Sequence, residues 1–385
     1  MSNLLKYKSI IARKVVSPSM RFEINQMFAW IREQLNRACV WRWGIVWLPQ
    51  QQDSPYSFLY IGRKGHLELS RIIMGIANTI NGSRVNEKRS GRNILVSEMP
   101  LPGALRIPHY VRAIVRLGRP VEEIMDTYDD KLRRSLLKQR MRYRVKQALS
   151  DAEIEFADRE MLNPFAKARH GSSANLISSE KIRSSALEYG RLDLLLLDGE
   201  IVACMLGNAS IRKGKRYWIA DRCGYPESVY SDPKRLGETN SINHHFAIEN
   251  SINNGFDYCD FALCFARPDD GLLQFKRRRG AELDTIGLKG YGHFYVRLPK
   301  TGTAQFLWNT PLFAVERKKL TLHLGLPNGT SDDEFVTRYR QMGFGGLSKI
   351  YLHCARPPGK HLLTTLYSFY RHQNSSPLLE SIAST

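Results

Sequence analysis

Residues 255–262 read Gly255-Phe-Asp-Tyr-Cys-Asp260-Phe-Ala262, and after a short connection residues 271–281 read Gly271-Leu-Leu-Gln-Phe275-Lys276-Arg-Arg-Arg-Gly280-Ala281. The first block reads as a strand over Tyr258–Leu263 and the second as a cationic helix over Leu272–Arg279. A strand ending in a carboxylate, followed by a helix with one placed lysine, is a way to present charge to a developing oxyanion. Within the basic run, Arg277, Arg278 and Arg279 are expected to face solvent or a bulky anion.

Working outward, Leu236–Asn253 reads as a helix. It holds His244-His245, which on a helix point about 100° apart and cannot serve one site, so both are read as structural or solvent-facing. Further upstream, Arg191–Leu197 and Ile201–Leu206 flank Asp198-Gly199, a strong hairpin signal. The Arg212-Lys-Gly-Lys-Arg216 turn leads to a third strand at Tyr217-Trp-Ile-Ala. Downstream, a final strand pair is expected around Glu282–Leu298.

The basic stretch Lys131–Lys146 carries Lys131, Arg133, Arg134, Lys138, Arg140, Arg142, Arg144 and Lys146 around the apolar residues Leu132, Leu136, Leu137, Met141 and Val145. It is read as one helix with a one-sided cationic face suited to an anion, Arg134, Lys138 and Arg140 being the candidate contacts. Nearer the start, Met27–Cys39 has helical apolar spacing. Trp41, Trp43 and Trp47 would share one face of a strand over Val40–Leu48. That face could be a platform for a base, a sugar or a membrane surface, but the preferred reading is a half-buried strand packed on the preceding helix. Asn81–Gly91 reads as a polar loop, Leu101-Pro-Gly as a turn and Leu105–Leu117 as one strand. Beyond Pro299, a strand at Leu320–Leu326, a helix at Asp332–Gln341 and a strand at Lys349–Cys354 make a β-loop-α-β appendage, followed by a loose tail at Asn374–Thr385.

The chain has 385 residues, with 57 Lys plus Arg against 37 Asp plus Glu and a net charge of +20. That length calls for more than one domain, and that charge favours polyanions: nucleic acid, anionic lipid or phosphate-bearing carriers. No apolar run approaches a membrane span and no secretory leader is evident, so a cytoplasmic location is expected. The six cysteines are scattered, which points to reduced thiols; Cys259 and Cys264, the one close pair, have the wrong spacing for zinc, and no metal site is expected.

The order hairpin, third strand, loop, helix, strand, helix, strand between about Leu192 and Leu298 resembles the GNAT acyltransferase fold, and its details resemble the Fem-like branch, in which two such lobes occur in tandem. The resemblance rests on the basic helix with Lys131, Arg133, Arg134, Lys138 and Arg140, similar to an R-x-x-I-R-K helix; on Asp198-Gly-Glu-Ile-Val-Ala203, similar to a g-g-x-x-v-A hairpin; on Ala247 through Gly255 to Asp260-Phe; and on Gly271 through Phe275-Lys276 to Gly280-Ala281. It covers about Arg119–Leu298. It implies an α/β (α+β) fold of tandem lobes, each a mixed, mostly antiparallel sheet flanked by helices, with a small C-terminal β-α-β appendage. The lobes would span 1–118 and 119–299, and the appendage 300–385.

The resemblance implies direct transfer of an acyl group from a carrier to an amine of a cell-envelope or polysaccharide precursor or an amino acid. Lys276 matches the lysine thought to hold the oxyanion. Asp260 would orient the amine or accept its proton, or simply cap the strand. The carrier is expected to be acyl-CoA, used as a co-substrate with no tightly bound cofactor, its pyrophosphate held in a loop at Asp232–Thr239 by Arg235, Gly237 and Thr239. Fragments of the expected loop pattern survive there, and Glu238 weighs against a tight CoA site. The alternatives are a Fem-like aminoacyltransferase using aminoacyl-tRNA, and a non-catalytic scaffold binding nucleic acid or an anionic membrane. Peripheral contact at the inner membrane face is compatible with each.

Overall fold

A computed structural model describes residues 18–48, 55–76, 93–371 and 377–383. Its strands are β1 (Trp43–Leu48), β2 (Ser57–Arg63), β3 (Asn93–Ser97), β4 (Leu105–Pro108), β5 (Tyr110–Arg116), β6 (Tyr143–Gln147), β7 (Gly190–Leu197), β8 (Glu200–Arg212), β9 (Lys215–Gly224), β10 (Tyr258–Phe265), β11 (Glu282–Asp284), β12 (His293–Arg297), β13 (Leu312–Glu316), β14 (Lys319–Leu326), β15 (Leu347–Cys354) and β16 (Leu378–Ala383). They form three sheets, in the orders β1-β2-β3-β12-β4, β11-β5-β10-β9-β8-β7-β6 and β13-β14-β15-β16. Each sheet mixes parallel with antiparallel pairs, and helices flank them, so the fold class is the expected mixed α+β.

The centre of the seven-stranded sheet follows from its turns. Asp198 and Gly199 take φ of 52° and 96°, and Lys213 and Gly214 take 50° and 74°. Positive φ at both turn residues matches the twist of the flanking strands, so β7, β8 and β9 form the expected antiparallel succession. Midway along β8 a register shift falls at Leu206/Gly207, where a Cβ on Gly207 would meet the Trp218 ring at 2.1 Å. Only glycine lets the indole lie there.

Several expectations are corrected. The basic helix ends at Gln139, having begun at Asp130; a 3-10 turn at Arg140–Arg142 follows, and then β6, antiparallel to β7. Tyr143 is buried while Arg144 and Lys146 are exposed, a period of two that the density of cations hid. The single strand expected at Leu105–Leu117 is broken at Pro108-His109 into β4 and β5, which belong to different sheets. β11 and β12, expected to pair with each other, also part: β12 inserts between β3 and β4. The tail expected to be loose supplies β16, parallel to β15 over Lys349–Cys354. The expected polar loop at Asn81–Gly91 lies outside the described residues. A helical stretch at Asp151–Tyr189, unassigned above, opens on a Ser150/Glu153 capping box that the sequence does spell out.

The chain forms two compact units made of interleaved segments. One comprises Met1–Ile24, Ile114–Ala262 and Arg278–Ala281, and the other Asn25–Ala113, Leu263–Arg277 and Glu282–Thr385. The boundaries therefore do not fall at 118 and 299. The core of the second unit shows why: Tyr60, Ile94 and Val96 from the early strands pack in one cluster with Phe294, Phe306, Leu312 and Ala314. The β-loop-α-β element at β14, Asp332–Tyr339 and β15 is present as expected, but residues just before it share a core with residues 48–107.

The preferred reading of the tryptophan segment holds for Trp43, which is half-buried and whose indole N–H donates to the Arg37 carbonyl of the preceding helix at 3.0 Å, and is corrected for its neighbours. Strand β1 is preceded by a 3-10 turn at Val40–Arg42 and by the helix Pro18–Ala38. Trp41, Ile45 and Trp47 are 77%, 71% and 44% exposed, so packing on that helix does not bury them.

Candidate functional site

Strand β10 is the spine of the site. It pairs in parallel with β9 through Tyr258↔Tyr217, Cys259↔Trp218 and Asp260↔Ile219, and the ladder stops there. Just beyond, Ala262 adopts a φ of 64°, a conformation that costs a residue with a Cβ about 1 kcal/mol or more. The side chain of Asp260 compensates: its Oδ1 accepts the Ala262 N–H at 2.8 Å and its Oδ2 accepts from Arg212 Nη1 at 2.6 Å. Arg212, at the end of β8, lies over the Tyr217 ring at 4.7 Å, and Tyr217 stacks on Tyr258. Both partners of this ion pair are buried. Asp260 therefore fixes a strand kink, and its oxygens are engaged in doing so.

Lys276 is in the other unit. It sits on the short helix Gly271–Arg277, whose inward side carries Leu273 and Lys276, one helical turn apart. Its side chain is 4% exposed, and Nζ donates to the Leu263 carbonyl at 3.2 Å. A carbonyl oxygen is the negative end of a dipole, and it fixes the direction of the ammonium it accepts from. Of the arginines that follow, Arg278 is exposed as expected. Arg279 is not: it is buried, burial pushes its pKa down to about 10, and it donates to Ser241 Oγ at 2.8 Å.

The expected phosphate loop is a helix. Pro233–Asn253 is continuous, with Asp232 as its N-cap accepting from the N–H groups of Lys234 at 2.9 Å and Arg235 at 3.2 Å. Those amides would have to hold a pyrophosphate, and a carboxylate already occupies them. Arg235 is exposed and donates to the Ser228 carbonyl at 3.2 Å, Gly237 is exposed within the helix, and Thr239 is 1% exposed. The structure does not bring these three residues together as a cradle.

The cationic candidates divide. Arg140 donates to Glu249 Oε1 at 3.3 Å, Arg133 pairs with Asp126 at 2.7 Å, Lys146 with Glu153 at 2.8 Å, and Arg142 with Asp198. Two of these carboxylates lie seven residues away and two lie 56 and 109 residues away, none at the four-residue spacing that a helix face reveals. Lys131, Arg134, Lys138 and Arg144 are exposed and have no carboxylate at ion-pair distance among the described residues.

Sequence reasoning missed a buried chain along the inner side of the Pro233–Asn253 helix. Tyr128 Oη lies 3.3 Å from His245 Nδ1, and His245 Nε2 lies 3.2 Å from Glu249 Oε1, the carboxylate that also meets Arg140. Burial alone would raise the Glu249 pKa, but His245 and then Arg140 outweigh it and lower it. The spacing Ser241, His245, Glu249 at every fourth residue was the available signal. His244 faces elsewhere, its ring edge-on to Phe261 and its Nδ1 2.9 Å from the Asn240 carbonyl oxygen. The two histidines therefore serve different places, as their spacing required.

No family model matches the chain. No curated protein matches it either. Among solved structures it is similar to FemX, at 11% identity and a TM-score of 0.38 over 72% of this chain and 96% of that one. It is similar to L-PGS from Bacillus licheniformis, at 12% identity and a TM-score of 0.31 over 66% and 79% of the two chains. A GCN5-related N-acetyltransferase from Anabaena variabilis is also similar, at 10% identity and a TM-score of 0.28 over 88% and 85%.

Proposed function

We propose that this protein is an N-acyltransferase that moves an activated acyl or aminoacyl group from a polyanionic carrier to an amine. The observation that carries the reading is the buried ammonium of Lys276, held by the Leu263 carbonyl. In the reaction, the amine lone pair forms the C–N bond, the carbonyl π pair moves to oxygen, and collapse expels the carrier's sulfur or oxygen, which leaves with the proton lost from nitrogen. A fixed cation beside the oxyanion stabilises the tetrahedral state more than the neutral carbonyl before it. Asp260 acts as a positioning residue for β10 rather than as the base. The acceptor is an amine of a cell-envelope precursor, amino sugar or amino acid.

The donor reading is sharpened by the helix start. With Asp232 on the amides of Lys234 and Arg235, an acyl-CoA pyrophosphate at that position would meet a carboxylate. Aminoacyl-tRNA is therefore preferred as carrier, with Lys131, Arg134, Lys138 and Arg144 as phosphate contacts. The test is transfer to an amine acceptor pool from charged tRNA and, separately, from acyl-CoA. Lys276→Met keeps the stem volume and removes the charge; kcat should fall roughly 100- to 1,000-fold, with the melting temperature held within a few degrees. Undiminished transfer by this variant would overturn the reading.

A further inference from the structure

Nineteen large apolar side chains are exposed among the described residues, and eight of them fall between Met27 and Trp47. The strand register shows how the later ones are arranged. β1 is an edge strand antiparallel to β2, with Ile45 opposite Ile61 and Trp47 opposite Leu59. Leu59 lies beside Leu95 on β3, and residues directly opposite share a face. The alternate residues Phe58, Tyr60, Ile94 and Val96 fill the core on the other side. The outer face of this sheet is thus apolar at its β1 edge.

The same register carries cations to the far side of that face. Arg297 is opposite Leu95, and Arg106 is opposite Tyr295, itself opposite Ser97; both arginines are exposed. Near the apolar edge Arg42 and Lys64 are exposed as well. Glu33 is buried on Arg63, leaving Glu68 as the exposed acid of the segment 25–48 and 55–76. Tryptophan beside aliphatics, bordered by guanidinium groups, matches the boundary between acyl chains and anionic headgroups.

We propose that the outer face of β1–β3, with Trp41, docks on an anionic lipid bilayer: Ile45, Trp47 and Trp41 enter the interface while Arg106 and Arg297 meet lipid phosphates. A second copy is a poorer occupant, because pairing this face with itself brings arginine towards arginine. The inference stands on this sheet alone and does not depend on the transferase reading.

The test uses the full chain with vesicles of phosphatidylcholine alone or containing about one third phosphatidylglycerol, read by co-sedimentation and tryptophan emission. Two cations near an anionic surface should favour the phosphatidylglycerol vesicles by about 10- to 30-fold. Ile45→Ser with Trp47→Ser should weaken binding at least about 10-fold without changing the circular dichroism spectrum. Arg106→Gln with Arg297→Gln should cut the preference for phosphatidylglycerol by about 10- to 30-fold, leaving weak binding to both vesicles. Equal binding by the apolar variant and the original protein, or no binding by the original protein, overturns the proposal. So does light scattering that shows a dimer which the apolar variant dissociates, or nucleic acid binding that the apolar variant loses while vesicles are ignored.

Discussion

Two buried guanidinium groups invite comparison. Arg212 meets Asp260 at 2.6 Å in a pair that fixes the kink at Ala262. Arg63 instead gathers two carboxylates, with Nη1 and Nη2 on Glu33 at 3.1 and 2.7 Å and Nε on Glu98 at 2.7 Å, and Tyr60 and His66 also reach Glu98. The first pair governs the course of one strand, β10. The second ties the helix Pro18–Ala38 to the end of β2 and to Glu98, the residue after β3. What distinguishes Arg212–Asp260 from the Arg63 cluster is the strained residue it supports, Ala262.

The comparison can be broken most sharply at Asp260. Asp260→Ala strands the Arg212 charge in the core and releases the Ala262 N–H, so stability should fall by about 3–5 kcal/mol, measured by urea unfolding. A loss under about 1 kcal/mol would mean that the kink holds itself. Acid should then single out the Arg63 cluster. Burial pushes the Glu98 carboxyl up, but hydrogen bonds from His66 and Arg63 prevail and hold it at about 2, against an ordinary 4.5. A folded-state value below the unfolded one contributes stability that is complete above about pH 5 and is lost as pH falls through about 2. That contribution is on the order of 3 kcal/mol, and Glu98→Gln should flatten this part of the pH–stability curve. The smallest effect belongs to the surface. Arg134→Ala with Lys138→Ala should leave stability unchanged and lower the salt slope of RNA binding by about 1.5; an unchanged slope would move the carrier contacts elsewhere.

Local chemistry was legible, and long-range choice was not. Asp198-Gly199 and Lys213-Gly214 announced their turns because glycine and aspartate tolerate positive φ, and the three strands around them followed. The β14–helix–β15 element was legible for a similar reason, since Ser331 caps its helix in plain sequence. By contrast, β12 could pair with β11 or with β3 and β4 on equal local grounds, and the shared core around Phe294 and Phe306 decides it. Arg212 and Asp260 lie 48 residues apart, a pairing that no periodicity predicts. The burial of Lys276 was half legible: its phase matches Leu273, yet in a run of four cations any could have turned inward. The exposure of Trp41 and Trp47 was misjudged because tryptophan usually serves burial, and β1 lies at a sheet edge where only one side is covered.

That β16 is an outer strand has a practical side. Leu378–Ala383 covers the hydrogen-bonding edge of β15, and Lys349 grips Glu380 across the pair at 2.7 Å. Trimming these residues as though they were a dispensable tail would uncover β15, whose Ile350–Cys354 segment is mostly apolar and buried. An unpaired, hydrophobic edge recruits strands from other molecules, so the shortened protein would be expected to self-associate into aggregates while every residue of the candidate site remained intact.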